Sequence, residues 1–229
     1  MALYAIGDLH LCLGAPKPMD VFGGAWVGYM DKLRKGLSVI RPEDTTVLLG
    51  DLSWALDLDG AQQDFAWING IPGKKIILKG NHDYWWSTAA KFKRFCADNG
   101  FSNLELLNNN AYEYGQYAIC GTRGWFFEEE KSGQHDEKVF RRELIRLETS
   151  LKAAKDRQKI VFLHYPPRYR GYECPEILEL LSRYDVRRCF YGHLHGGSHR
   201  LAMEGQWDGV EFRLVSADYL EFHPYPVIL

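Results

Sequence analysis

The chain has 229 residues, of which 46% are hydrophobic and 25% are charged, and its formal net charge at pH 7 is −2. This composition is ordinary for a folded globular protein and excludes a disordered or low-complexity chain. The near-neutral charge excludes a global electrostatic footprint for nucleic acid or an anionic membrane, although it leaves room for a local basic groove.

The cysteines are odd in number, scattered along the chain, and form no Cys-x-x-Cys pair: Cys12, Cys96, Cys120, Cys174 and Cys189. This pattern argues against a secreted disulfide framework and favours a reducing compartment. The sequence holds no apolar run long enough to cross a membrane, and its first residues lack the basic-then-apolar plan of a signal peptide. We therefore expect a cytoplasmic protein.

The first hundred residues alternate between strand-like apolar runs and helical stripes. Strands are predicted at 3–7, 45–49 and 75–78. Two helical stripes of period 3.6 lie between them. They are Trp26-Met30-Leu33-Leu37-Ile40, ended by Pro42, and Ala61-Phe65-Ile68, ended by Asn69-Gly70. After the third strand, Ser87-Thr88 can cap a helix that runs to Asn99-Gly100. This β-α-β-α-β-α order favours a layered sheet with helices on its faces.

The alternation of strands and helices ends after residue 103. Short segments at 104–107, 112–114 and 117–121 predict antiparallel pairing, and a polar loop at 122–136 leads into a long helix. The stripe of that helix is Phe140, Leu144, Leu147, Leu151 and Ala154. Strands follow at 160–163 and 189–191, and residues 200–215 alternate enough to add more. With no repeat or linker, we predict one domain over 1–229, an α/β fold built as a mixed-sheet sandwich flanked by helices.

Five polar segments follow apolar runs: Asp8-Leu9-His10, Gly50-Asp51, Gly80-Asn81-His82-Asp83, His164, and Gly192-His193-Leu194-His195. Side chains just past the carboxyl ends of strands converge on a common crevice in α/β sheets. Imidazole and carboxylate groups gathered in one crevice suit transition metals, and this number of ligands suits two ions. The sequence therefore predicts a metal-dependent hydrolase.

The spacing within the segments supports this interpretation. Asp8 and His10 are two residues apart, so an extended chain projects both side chains to the same side, and the same holds for His193 and His195. Asp51 can bridge two cations. The set of donors, which also includes the Asn81 amide, fits Mn, Fe, Zn, Ni or Co better than calcium; His82 is then left to protonate a leaving group.

Each segment also has an ordinary structural explanation that involves no metal. A single Asp-x-His after a strand is more often a cap or a core histidine, and Gly-Asp is usually a turn. The segments at 80–83 and 192–195 are more specific, because consecutive polar residues at a strand end serve no packing purpose. All five in this order make a purely structural origin improbable.

The ordered set resembles the calcineurin-like metallophosphoesterase superfamily, and the chain is similar to small bacterial single-domain members that are predicted phosphohydrolases. The resemblance implies a four-layer α/β/β/α sandwich in which a hydroxide that bridges two metal ions is the nucleophile. One ion would be held by Asp8, His10, Asp51 and His195. The other would be held by Asp51, Asn81, His164 and His193. His82 matches the histidine that contacts the substrate phosphate and leaving group.

The chain departs from the family pattern at one position. Many members carry an acidic residue three positions after the Gly-Asp aspartate, where it orients the catalytic histidine, but here that residue is Trp54. Either Asp83 or another carboxylate orients His82, or His82 acts without one. We therefore include Asp83 with His82 as a predicted catalytic residue.

The substrate is expected to be a small phosphorylated molecule, with no stable nucleic-acid complex and no membrane contact. Arg123 and Arg168 are the candidates for binding phosphate, because guanidinium matches phosphate oxygens bidentately. Trp125, Phe126 and Phe127 could stack a base, although a core role is more common. Two alternatives stay open: a catalytically weak metal-binding scaffold, for which Trp54 is the only sign, and a cyclic-nucleotide or nucleic-acid phosphodiesterase.

Overall fold

The structure is a computed structural model that describes residues 1–125 and 134–229, with side chains from 137 onward in the second range. Phe126 and Phe127 lie outside the described residues. The chain divides into two compact units. Unit 1 comprises Met1–Leu106 and Val215–Leu229, and unit 2 comprises Leu107–Leu214. Among the described helices, none combines the length and the apolar character that a membrane span requires.

The described chain forms thirteen strands and five α-helices. The strands are β1 (Leu3–Ile6), β2 (Thr45–Leu48), β3 (Lys74–Ile77), β4 (Leu104–Leu106), β5 (Tyr112–Tyr114), β6 (Tyr117–Thr122), β7 (Gln158–Leu163), β8 (Arg168–Tyr169), β9 (Tyr172–Glu173), β10 (Arg188–Tyr191), β11 (Gly205–Trp207), β12 (Val210–Leu214) and β13 (Tyr225–Ile228). The helices are α1 (Tyr29–Leu37), α2 (Gln62–Gly70), α3 (Ala89–Asp98), α4 (Gln134–Ala153) and α5 (Pro175–Arg183).

Unit 1 is a five-stranded sheet in the order β13-β1-β2-β3-β4. Strands β1 to β4 are parallel, so the carboxyl ends of all four lie at one edge, and β13 pairs antiparallel with β1. One hydrophobic core joins the sheet to its three helices; it includes Ile6, Leu48, Ile77, Leu33, Leu37, Phe65, Ile68, Phe92 and Phe95. The β-α-β-α-β-α order predicted for this part of the chain is confirmed.

Two details of unit 1 differ from the predictions. The segment at 104–107 does not pair antiparallel, because β4 continues the parallel sheet beside β3. The first helix is shorter than its apolar stripe: Gly28 adopts a left-handed conformation (φ 65°), so Trp26 lies in a separate 3₁₀ turn and α1 begins at Tyr29. The predicted cap of α3 is confirmed, since the Thr88 hydroxyl accepts a hydrogen bond from Lys91 N at 3.2 Å.

Unit 2 contains a six-stranded sheet in the order β11-β12-β10-β7-β6-β5. Its four central strands are parallel, and both edge strands pair antiparallel with their neighbours. Helix α4 packs on β6 and also contacts α5. Both large sheets of the protein are therefore mixed and flanked by helices, and the predicted α/β fold class is confirmed.

The buried face of α4 is more polar than its apolar stripe predicts. Leu147 and Leu151 are buried, but so are Glu143 and Ser150. Glu143 accepts a hydrogen bond from the Thr122 hydroxyl at 2.7 Å. The Ser150 hydroxyl accepts from a β6 backbone N–H and donates to the carbonyl that precedes β5. These bonds satisfy the buried polar atoms and fix α4 against the sheet.

Candidate functional site

The carboxyl ends of the parallel strands in unit 1 carry six of the predicted site residues, including Asp83 after β3. Asp8 and His10 follow β1, and Asp51 follows β2. All three side chains are buried, with exposures of 0%, 3% and 1%. Asn81 and His82 follow β3 and are half-buried. The placement predicted from the sequence, just past the strand ends, is therefore confirmed for this unit.

Asp8 and His10 lie close together, but the predicted reason is wrong. Each offers a potential ligand atom, and these atoms lie within 4.8 Å of each other. The chain is not extended there, because Asp8 has a φ of 61° and His10 a φ of 47°. Asp51, with a φ of 51°, shares this left-handed conformation. Such conformations cost free energy in residues other than glycine; they occur in ordinary turns, and they also cluster at functional sites.

Backbone hydrogen bonds hold the two loops after β1 and β2 side by side. Asp8 N donates to Gly50 O at 2.8 Å, and His10 N donates to Asp51 O at 2.9 Å. Trp54 N then donates to Leu11 O at 3.0 Å, which carries the pairing beyond the strands. Because both loops continue the register of the sheet, their side chains are presented by a rigid backbone rather than by a mobile loop.

Asp83 joins the loops after β2 and β3. Its Oδ2 atom accepts hydrogen bonds from Asp51 N at 2.8 Å and Gly80 N at 2.7 Å. Its Oδ1 atom accepts from Leu52 N and Trp85 Nε1, both at 2.8 Å. The carboxylate is fully buried, and its four bonds all come from donors other than His82. In the structure Asp83 therefore positions Asp51. The sequence alone makes it a candidate partner that orients His82.

Gly80 allows these loops to approach each other. A Cβ atom at this position would lie 2.0 Å from Asp51 Oδ1 and 2.3 Å from Asp51 N. The Asp51 side chain also accepts a hydrogen bond from His82 N, at 2.7 Å. A side chain at position 80 would therefore displace Asp51 from its place in the loop.

Substitution Gly80→Ala is expected to lower the free energy of unfolding by about 2–3 kcal/mol, because the added methyl overpacks a closely packed contact. The matched control is Gly70→Ala, where a new Cβ would meet no atom within 4 Å. Urea denaturation followed by tryptophan fluorescence measures both variants. Equal stability of the two variants would show that the approach of the loops does not require glycine.

A second buried carboxylate supports the same loops from helix α2. Asp64 accepts hydrogen bonds from Leu13 N at 2.7 Å and from the Ser53 hydroxyl. Burial raises the pKa of this carboxyl above its usual range. Sequence reasoning missed Asp64, because an aspartate in the first turn of a helix normally indicates only a favourable interaction with the helix dipole.

His82 lies among aromatic side chains. Its Nδ1 atom is 3.3 Å from the Tyr84 hydroxyl, and its ring centroid is 4.8 Å from that of Trp54. The Trp54 indole also stacks on His10, at 4.8 Å and an interplanar angle of 17°. The residue that replaces the expected acid thus contacts both a predicted metal ligand and the predicted acid catalyst.

In unit 2 the predicted ligands also follow strand ends. His164 comes directly after β7 and is fully buried, while His193 and His195 follow β10. His164 and His193 offer ligand atoms within 4.8 Å of each other. His193 has a φ of 73°, and its ring lies edge-on to Tyr165 at 4.6 Å. Two pairs of candidate metal ligands are thus present, one in each unit.

The two predicted phosphate-binding arginines differ. The carbonyl of Arg123 accepts hydrogen bonds from the N–H groups of His164 and Tyr165, so this arginine is fixed beside a candidate ligand. Its guanidinium lies 3.7 Å from Glu143. Arg168 pairs at 2.8 Å with two carboxylates, those of Glu173 and Asp208, and is 8% exposed. This pairing favours a structural role for Arg168.

The comparisons with known proteins agree with these features. The model of the calcineurin-like phosphoesterase family matches residues 1–197. No curated protein matches the chain. Among solved structures, the Aquifex aeolicus protein of unknown function AQ665 is 17% identical with a TM-score of 0.56, over 98% of this chain and 95% of that one. The protein TT1561 of Thermus thermophilus is 15% identical with the same TM-score of 0.56, over 92% of this chain and 86% of that one. At these identities both show the fold alone.

Proposed function

The chain belongs to the calcineurin-like phosphoesterase family, and from this premise we propose that it hydrolyses the phosphoester bond of a small phosphorylated substrate, a monoester or a diester. A phosphoesterase-type function follows from the family. The bond type and the substrate belong to the proposal.

We propose two ligand sets for two transition-metal ions. The first consists of Asp8, His10, Asp51 and His195. The second consists of Asp51, Asn81, His164 and His193. The chemistry of the donors fits such ions, since buried and half-buried carboxylate and imidazole groups with one amide suit Mn, Fe, Zn, Ni or Co. When bound, two such ions make water more nucleophilic and neutralise charge that develops on the phosphate.

The observation that carries this proposal is the backbone conformation at the predicted ligands. Among the described residues other than glycine, ten have a positive φ, and four of these are predicted metal ligands: Asp8, His10, Asp51 and His193. Strain of this kind persists only where the surrounding structure enforces it, and it gathers at functional sites. Aspartate and histidine tolerate a positive φ better than most residues, so the coincidence with the family pattern is what gives these four positions their weight.

His82 is proposed to donate the proton that the leaving-group oxygen requires. The Tyr84 hydroxyl lies 3.3 Å from Nδ1, and we propose that Nε2 faces the leaving group. Asp83 contributes indirectly, because its hydrogen bond to Asp51 N positions a ligand proposed for both ions. Arg123 is proposed to bind the phosphate oxygens. Arg168 is not proposed as a phosphate ligand, because two carboxylates already pair with its guanidinium.

The test is a hydrolysis assay on protein loaded in turn with Mn, Ni, Zn and Fe. We expect turnover of p-nitrophenyl phosphate or its bis-ester, loss of turnover on chelation, and about two metal ions per chain by elemental analysis. Cyclic nucleotides and dinucleotides in the same panel separate a monoesterase from a diesterase. Metal-loaded protein that hydrolyses none of these substrates would contradict the proposal and favour the metal-binding scaffold.

A further inference from the structure

Lys17 places a positive charge on the indole that contacts the proposed acid catalyst. Its Nζ atom lies 3.2 Å from the centroid of the Trp54 ring. The same indole lies 4.8 Å from the ring of His82 and 4.8 Å from that of His10. An ammonium group over an indole face is attracted by the ring quadrupole, so the charge has a preferred position although the side chain is exposed.

The ammonium of Lys17 has no anionic partner within the described parts of the chain. The ion pairs found there join other lysines and arginines to carboxylates. Lys17 contributes only its backbone N–H, which donates to Ala15 O at 2.9 Å, and the contact with Trp54. The ammonium donors that do not point at the indole are therefore available to a ligand, beside a residue proposed to act on the leaving group.

The segment that carries Lys17 is held in place by its sequence and by its neighbours. Proline stands on both sides of the lysine, at positions 16 and 18, which restricts the backbone before binding. Met19, which follows Pro18, is buried, and its sulfur accepts a hydrogen bond from Trp54 Nε1 at 3.3 Å. Trp54 thus contacts the segment 16–19 twice, through its indole nitrogen with Met19 and through its ring face with Lys17.

We propose that Lys17 and Trp54 form an anion subsite that selects phosphoesters whose leaving group carries a second oxyanion, a carboxylate or a phosphate. The inference rests on the proposed function, because it takes His82 to mark the side of the departing group. Lys17 gives the charge that recognises the anion, and Trp54, which stacks on His10, holds that charge in place beside His82. The acid of the family pattern would repel such an anion at this position, whereas the uncharged indole holds the ammonium that attracts it.

The test measures binding rather than turnover, so that it works even for a protein that hydrolyses nothing. The probes are three non-hydrolysable phosphonates that share one ring: 4-(phosphonomethyl)benzoate, 1,4-bis(phosphonomethyl)benzene and 4-(phosphonomethyl)benzamide. Calorimetry on the metal-loaded protein is expected to give a Kd about fivefold lower for each anionic probe than for the neutral amide. After the twofold statistical advantage of the symmetric bisphosphonate is divided out, the larger of the two preferences shows whether the subsite binds a carboxylate or a phosphonate more tightly.

The variants isolate the charge. Lys17→Met keeps an unbranched stem over the indole and should abolish the preference while leaving the Kd of the amide unchanged. Lys17→Arg keeps the charge and should retain the preference. The matched control is Lys32→Met, since Lys32 also lies over an aromatic ring, that of Phe222 at 5.6 Å, and should not alter the preference.

Two results would overturn the inference: equal affinity of the wild-type protein for all three probes, or a preference that survives in Lys17→Met. Failure of the proposed function is recognised separately. A protein without hydrolytic activity that still binds the anionic probes through Lys17 would contradict the phosphoesterase assignment and keep the subsite. An active enzyme that binds all three probes equally would support the phosphoesterase assignment and contradict the subsite.

Discussion

Replacement of Asp83 by asparagine is expected to lower the free energy of unfolding by about 4 kcal/mol. The carboxylate accepts four hydrogen bonds at 2.7–2.8 Å in a fully buried position. An asparagine amide keeps one acceptor oxygen and turns an NH₂ group toward two N–H donors. The donors of Asp51 and Gly80, or those of Leu52 and Trp85, would then be buried without an acceptor. Chemical denaturation measures the loss.

The control for this variant is Asp98→Asn. Asp98 is an exposed carboxylate on α3 whose only described ion pair is with Arg94 at 3.6 Å, and its replacement should change stability by less than about 0.5 kcal/mol. Asp83→Asn should also bind metal more weakly, because the network that holds Asp51 and Leu52 in place loses two of its four hydrogen bonds. A stable Asp83→Asn protein with unchanged metal affinity would show that Asp83 does not position this loop.

Replacement of His82 by alanine is expected to lower kcat by about 10²- to 10³-fold on an alkyl phosphate, because an alkoxide leaves slowly without a proton donor. The loss should be much smaller on p-nitrophenyl phosphate, since p-nitrophenolate is stable without protonation. The metal content should stay unchanged, because the proposed ligand sets do not include His82. Steady-state kinetics on both substrates, with elemental analysis, measures these effects.

His223→Ala is the matched control for that variant. His223 is exposed, and its Nδ1 atom lies 2.9 Å from a neighbouring carbonyl, that of Glu221. We expect its removal to leave kcat unchanged on both substrates. If His82→Ala lowered kcat equally on the alkyl and nitrophenyl esters, proton donation would be the wrong role for His82, and a role in binding the phosphate would replace it.

The positions of the candidate ligands could be predicted because a simple rule connects them to the sequence. Buried parallel strands read as continuous apolar runs, and the residue after each run stands at the carboxyl edge of the sheet. Asp8, Asp51 and His164 all follow that rule. The helical period likewise located α2, and the Ser87-Thr88 cap with the Asn99-Gly100 end located α3.

Other features of the site depend on contacts that no local pattern encodes. Asp83 and Asp64 each bind backbone N–H groups about 30 to 50 positions away, and such partners leave no periodic signal in a sequence. The pairing of Asp8 with His10 was predicted from an extended chain, but the structure achieves it with two left-handed residues. The orientation of β4 also escaped prediction, because three residues carry too little pattern to distinguish parallel from antiparallel pairing.

The pairing of β13 with β1 has a consequence for how the protein folds. Leu3 lies opposite Ile228, and the Gly7 N–H donates to Val215 O at 2.8 Å. The sheet that presents Asp8 and His10 therefore closes only when the two ends of the chain meet, whereas unit 2 is continuous. Loop closure over such a separation is slow, since its entropy is lost before the contacts form. During synthesis, unit 2 can therefore complete its sheet before β13 joins β1, whereas the hydrogen bonds from Asp8 and His10 to the loop after β2 do not depend on β13.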